Sequence, residues 1–192
     1  MSFPPLILAS RSPRRSDLLR GLGVEFQVVV GKVDEIAPEH LTPHEIAQIN
    51  AYRKARVVAK RFPDALVLGA DTIVCLGNRV FGKPADRVDA ARMLGKLQGR
   101  THEVVTGVCL IRLREHRQRL FAVSTRVRFR PLRTPEIQRY LGLMNPLDKA
   151  GSYAIQEHGE MLVESVTGSF SNVVGLPLEK LKEELEALAA RR

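Results

Sequence analysis

The chain has 192 residues, 44% of them hydrophobic and 27% charged, with a formal net charge of +9 at pH 7. That length predicts one compact domain over residues 1–192, and the even spread of apolar segments excludes a disordered or low-complexity protein. The first ten residues carry no basic leader and no cleavage pattern, and no run of about 18 apolar residues occurs, so the expectation is a soluble, unexported, cytoplasmic protein. The positive balance favours polyanionic partners, meaning nucleic acid, acidic membrane surfaces or phosphate-bearing small molecules, without choosing among them. Cys75 and Cys109 sit inside apolar runs and read as buried free thiols.

In chain order, Leu6 to Ala9 predicts a short buried strand, and Ser12-Pro13 supplies an N-cap and first-turn proline for a helix carrying Leu18, Leu19 and Leu22, stopped by Gly21 and Gly23. Val24 to Val30 is β-prone and leads into a loop with Asp34 and Glu35. Thr42-Pro43-His44-Glu45 has the form of a capping box opening a helix to about Arg61. On that helix Ala47, Ala51, Val58 and Phe62 share one narrow sector, and Lys54 falls in the same sector. Ala65 to Leu76 is a long apolar run holding one acid, Asp71, and Gly77-Asn78 is a two-residue hairpin turn into Arg79 to Gly82, which brings Lys83 to the Asp71 end of the ladder. Asp86 caps a helix with Ala90, Met93, Leu94 and Leu97 inward, ending at Gly99. Thr101 to Leu113 and Leu120 to Phe129 form a strand pair, and Thr134-Pro135 starts a short helix. Ala150 to Ile155 and Met161 to Val166 both read as strands, and a helix follows Pro177. The irregular alternation predicts an α/β fold, a mixed sheet with helices packed around it.

Three groups of residues point to chemistry. Ser10-Arg11-Ser12-Pro13-Arg14-Arg15 lies where a strand gives way to a helix, so hydroxyls, guanidiniums and free N–H groups converge as an anion site; the plain alternative is a cap with solvated charges. Asp71 within an apolar run must be neutral, paired or metal-bound, and with Glu35 it is a candidate for holding a Mg²⁺-type ion; the plain alternative is an ion pair with Lys54 or Lys83. Lys54 among small alanines can also snorkel to solvent. Arg126, Arg128 and Arg130 share one strand face and leave nucleic-acid binding as a rival reading, although alternating charge is the ordinary solvated side of a half-buried sheet and no recognition helix, zinc-finger spacing or RNP aromatic accompanies it.

These segments together resemble the Maf family. Ala-Ser-x-Ser-Pro-Arg-Arg at Ala9 to Arg15, Asp34-Glu35, Lys54-Ala55, Gly69-Ala70-Asp71-Thr72 and Gly82-Lys83-Pro84 match its motifs in order. So do Leu97 to His102, Pro146 to Tyr153 with Ile155-Gln156, and Asn172 to Pro177, so the resemblance spans nearly the whole chain; the stretch Ile49 to Arg53 departs from the Leu-Ala-rich segment expected before Lys54. The resemblance implies a fold similar to the inosine triphosphate pyrophosphatases, an elongated twisted mixed sheet with two lobes around a cleft. It implies a house-cleaning hydrolase that cuts nucleoside triphosphates to monophosphate and pyrophosphate with a divalent cation, Mg²⁺, Mn²⁺ or Co²⁺. Position by position, Ser10, Arg14, Arg15, Lys54 and Lys83 match the phosphate-contacting set, Lys54 and Lys83 also stabilising charge in catalysis; Glu35 matches the metal-binding acid, and Asp71 the general base and second metal-side carboxylate. Arg14, Thr72 and Gln156 resemble the branch acting on dTTP and UTP rather than the branch acting on 7-methylguanosine triphosphate. A homodimer is implied as well, and a nucleotide-binding role in cell division without turnover stays open alongside.

Overall fold

A computed structural model describes residues 5–190. Its strands are β1 (Leu6–Leu8), β2 (Phe26–Val28), β3 (Leu66–Leu76), β4 (Arg79–Phe81), β5 (Thr101–Arg112), β6 (Arg117–Phe129) and β7 (Val163–Thr167). The helices are α1 (Pro13–Arg20), α2 (Pro43–Ala59), α3 (Arg87–Leu97), α4 (Thr134–Leu143), α5 (Phe170–Val174) and α6 (Leu178–Ala190). The strands form one mixed sheet in the order β2-β1-β3-β5-β6-β7, with β4 also on β3. β1 pairs in parallel with both β2 and β3, whereas the β3–β4, β3–β5, β5–β6 and β6–β7 pairs are antiparallel. The Gly77-Asn78 hairpin holds, with Leu76 opposite Arg79.

The sheet's topology makes the cleft. β1 has β2 on one side and β3 on the other, so successive crossovers leave it in opposite directions and its carboxyl end is a switch point, the usual ligand position in such sheets. β3 is longer than either neighbour on that side: β1 covers Leu66 to Leu68 and β4 covers Val74 to Leu76. Residues 69–73 therefore lie at a gap in the ladder. Side chains from both faces of β3 can reach that gap, which is how Asp71 and Thr72, adjacent and oppositely directed, come to border one cavity.

Helix α2 is set close to the sheet by small residues. Its capping box is complete, with Thr42 Oγ1 accepting from the Glu45 amide at 3.3 Å and Glu45 Oε2 accepting from the Thr42 amide at 2.8 Å. Ala47, Ala51, Ala55 and Ala59, spaced four apart along one ridge, are fully buried. Beneath them the sheet presents Gly69 on β3 and Gly107 on β5, where a Cβ would stand 2.4 Å from the Ala51 oxygen and 2.3 Å from the Ala47 oxygen. Only glycine permits that approach. Leu8, Leu19, Leu68 and Leu181 pack the opposite face, while Leu94, Phe129, Tyr140 and Leu162 build the core at the far end around α3 and α4.

Several local expectations change. Ala150 to Ile155 is no strand: residues 150–152 form a 3₁₀ turn with Gly151 at φ 68° and Ser152 at φ 65°, an αL pair that cannot extend, and the Gly151 amide bonds to the Gly82 oxygen at 3.0 Å. Ser12 occupies the N-cap of α1 without a side-chain cap bond; its amide instead donates to Ser10 Oγ at 3.2 Å. β6 begins at Arg117, earlier than read, because Arg112 pairs with Arg117 across a four-residue turn. α5 was not anticipated. Both cysteines are buried free thiols, and burial pushes Cys75 up to about 11 and Cys109 up to about 12, which keeps them protonated and unreactive.

Candidate active site

One cavity of about 310 Å³ opens at the gap in β3, and all nine residues singled out from the sequence line it: Ser10, Arg14, Arg15, Glu35, Lys54, Asp71, Thr72, Lys83 and Gln156. They come from seven parts of the chain: the end of β1, the start of α1, the loop after β2, the face of α2, the middle of β3, the segment after β4, and the turn after the 3₁₀ segment, which carries Gln156.

At the centre, Lys54 Nζ donates to Asp71 Oδ1 at 2.6 Å and to Glu35 Oε1 at 2.7 Å. Asp71 is 4% exposed, so its charge needs these partners; Glu35 stands half open to the cavity mouth. Burial works to raise the Glu35 carboxyl, but the Lys54 hydrogen bond and the charges of Lys54, Lys83 and Arg15 outweigh it and hold the group below the usual range. Lys83 approaches Glu35 Oε1 at 3.8 Å and keeps half its side chain in solvent. The ion pair weighed in the sequence reading is thus present with Lys54, and it sits inside the cavity.

The two arginines of α1 divide their work. Arg15 is buried and held on three sides: Nε donates to the Gly175 oxygen at 2.8 Å, one terminal nitrogen to Ser10 Oγ at 3.1 Å and the other to Thr72 Oγ1 at 2.9 Å. Burial lowers its pKa, opposed by the charges of Asp71 and Glu35. Its guanidinium shapes the floor of the cavity and places Ser10 and Thr72. Arg14 is freer, reaching only loose ion pairs with Asp148 at 3.6 Å and Glu157 at 3.7 Å.

Thr72 stands in a chain of hydroxyls whose direction can be read. Thr106 Oγ1 donates its one proton to the Asn172 oxygen at 3.0 Å, so at its 3.0 Å contact with Thr72 it accepts. Thr72 therefore spends its proton on Thr106 while accepting from Arg15. Toward the cavity it offers a lone pair.

Three further residues complete the site: Asn50, which falls outside every matched motif, and Lys149 and Tyr153, which fall inside the Pro146–Tyr153 motif without an assigned role. Asn50, 2% exposed on α2, donates to Asp71 Oδ2 at 3.1 Å and exchanges two bonds with the backbone of Ile36. Lys149 is buried with its ammonium on the Asn145 oxygen and Asp148 Oδ1, each at 2.8 Å, and Glu157 at 3.3 Å, which pins the segment carrying Gln156. Tyr153 lines the cavity and meets the buried His102 Nε2 at 2.9 Å. Asn50 lies four residues before Lys54 but about 40° outside the sector that holds Ala47, Ala51, Lys54 and Val58, so helical spacing alone does not select it. The arginine row on β6 divides differently from a nucleic-acid stripe: Arg128 pairs with Glu164 at 3.0 Å and Arg130 bonds the Val163 oxygen at 3.1 Å, tying β6 to β7.

Known proteins resemble the chain in fold and in sequence. A Staphylococcus aureus Ham1 protein superposes with a TM-score of 0.57 at 15% identity, covering 95% of this chain and 98% of that one, a likeness of fold. A Symbiobacterium thermophilum protein named dTTP/UTP pyrophosphatase is 49% identical over 94% of this chain and 92% of its own length. An Akkermansia muciniphila protein of the same name is 45% identical over 98% and 99%. The family described as Maf-like protein matches residues 5–188, which takes in every cavity residue described above. With that span and those relatives, the chain belongs to the Maf family.

Proposed function

We propose that this chain hydrolyses nucleoside triphosphates, dTTP and UTP foremost, between the α and β phosphates to give the monophosphate and pyrophosphate. The observation that carries the reading is the Glu35–Lys54–Asp71 triad set beside the start of α1 in one cavity. The names of the relatives point the same way.

The α1 start, with Ser10 and Arg14, supports binding of the triphosphate through N–H groups, a hydroxyl and a guanidinium. Water attacks the α-phosphorus; its new P–O bond forms as the bond to the β-phosphate oxygen breaks, pyrophosphate leaves with that electron pair, and Asp71 takes the proton of the water. Lys54 and Lys83 offset the charge spread over the phosphates. A divalent cation would be held by Glu35 and Asp71, whose Oε1 and Oδ1 converge on the Lys54 ammonium, once that ammonium turns to the phosphates. These two carboxylates are hard oxygen donors of the kind that hold Mg²⁺ together with substrate phosphates and water. When bound, the metal supplies charge neutralisation at the phosphate oxygens.

Specificity follows from Thr72 and Gln156. The Thr72 lone pair suits the imide N–H of uracil or thymine, and the Gln156 amide, with a donor and an acceptor, suits the carbonyl beside it. Asp71→Asn tests the mechanism: turnover should fall by about 10² to 10⁴ with nucleotide binding kept. Unchanged turnover would remove Asp71 from the proton transfer.

A further inference from the structure

The motif comparison in the sequence leaves out Asn50, yet its side chain touches both halves of the triad's support. Its Oδ1 accepts from the Ile36 amide at 2.9 Å and its Nδ2 donates to the Ile36 oxygen at 2.9 Å, so it pairs with that residue as a strand neighbour would. The second Nδ2 proton goes to Asp71 Oδ2 at 3.1 Å. Both amide protons are thereby used, and Ile36 is the residue next to Glu35. Lys54, one helical turn on, holds the other oxygen of Asp71 and the carboxylate of Glu35.

We infer that Asn50 is a positioning residue that fixes the spacing and orientation of the Glu35 and Asp71 carboxylates by clamping the Glu35 loop to β3. This rests on the functional reading above. Lys54 alone does not define that geometry: an ammonium on a flexible stem bonds at many angles, and the Glu35 loop has no regular pairing of its own at residues 34–36. The Asn50 amide is planar and buried, with each bond to a partner fixed by backbone or by β3. Removing it lets the loop and the carboxylate drift apart while the phosphate-binding start of α1, which Arg15 ties to Gly175 and Thr72, stays in place. The effect therefore falls on turnover and on metal binding and spares nucleotide binding.

Asn50→Asp and Asn50→Leu in the full chain test this. Asn50→Asp retains the shape and the acceptor for the Ile36 amide but loses both donors; Asn50→Leu loses all three bonds. Supporting substitutions typically cost about 10- to 100-fold in activity or metal affinity. Both variants should lose kcat on dTTP within that range with KM changed less than about threefold. Mn²⁺ binding, followed by electron paramagnetic resonance with a non-hydrolysable α,β-imido nucleotide present, should weaken over the same range. Wild-type kcat and Mn²⁺ affinity in folded Asn50→Asp would overturn the inference. So would unfolding of both variants at assay temperature, or a loss in KM alone, since each assigns Asn50 to the fold or to nucleotide binding. An inactive wild type, or an active Asp71→Asn, would instead sink the functional reading.

Discussion

Gly69→Ala tests how the packing of α2 governs the site. The added Cβ would stand 2.4 Å from the Ala51 oxygen, 2.7 Å from the Ala55 amide nitrogen and 2.9 Å from the Ala55 Cβ, where ordinary contact begins at 3.4 Å. Two of those partners are helix backbone and cannot turn aside, so α2 has to lift by about 1 Å, an overpacking strain of about 1–3 kcal/mol. Ala51 lies between Asn50 and Lys54, whose bonds to Asp71 are 3.1 Å and 2.6 Å. A lift of that size takes both to or beyond hydrogen-bonding range, and misplacement on the order of 1 Å costs about 10²-fold in rate. Gly142→Ala is the control, because a Cβ there meets nothing within 4 Å. Pyrophosphate release at saturating dTTP and thermal unfolding would be measured on both variants and on the unaltered chain. Gly69→Ala should lose on the order of 10²-fold in kcat and about 2–12 °C in Tm. A folded Gly69→Ala enzyme with kcat within threefold of the control would refute the link between the Ala51–Gly69 contact and the chemistry.

Two further outcomes follow from buried hydrogen-bonding groups. Burial lowers His102 to about 4, so between there and its ordinary 6.5 the unfolded chain binds a proton that the native one does not. Stability should therefore rise with pH through that window, by about 3 kcal/mol, and be lost as pH falls from 6.5 to 4; urea titrations at a series of pH values should find this slope reduced in His102→Gln. Thr106→Val removes the acceptor of the Thr72 proton and frees it toward the cavity, so the preference for UTP over CTP should narrow by about 2- to 10-fold, the worth of one hydrogen bond. An unchanged kcat/KM ratio would remove the hydroxyl chain from base selection.

Much of this was legible because it rests on local rules. The Thr42–Glu45 capping box, the Gly77-Asn78 turn and the buried sector containing Lys54 each follow from spacing, and each is present. Asp71 stood out as a charge that an apolar strand cannot bury alone. What escaped depends on contacts distant in sequence. Arg15 and Arg14 are neighbours with similar prospects in the sequence, and it is bonds to the Gly175 oxygen, from 160 residues further on, and to Thr72 that distinguish the buried one from the freer one. The direction of the Thr72–Thr106–Asn172 chain joins three elements. The Ala150 to Ile155 segment misled because its apolar residues line the cavity and core from a turn, with Gly151 and Ser152 in αL geometry. Asn50 escaped for the same reason, because its partners, Ile36 and Asp71, lie outside α2.

Cleavage of a pyrimidine nucleoside triphosphate at its α-phosphate is read out by measuring pyrophosphate and monophosphate together from dTTP and UTP, with Mg²⁺ or Mn²⁺ and with chelator. Equal amounts of the two products, formed only with the metal, are expected. Release of inorganic phosphate and nucleoside diphosphate, or no product from folded protein with metal present, would contradict cleavage at the α-phosphate.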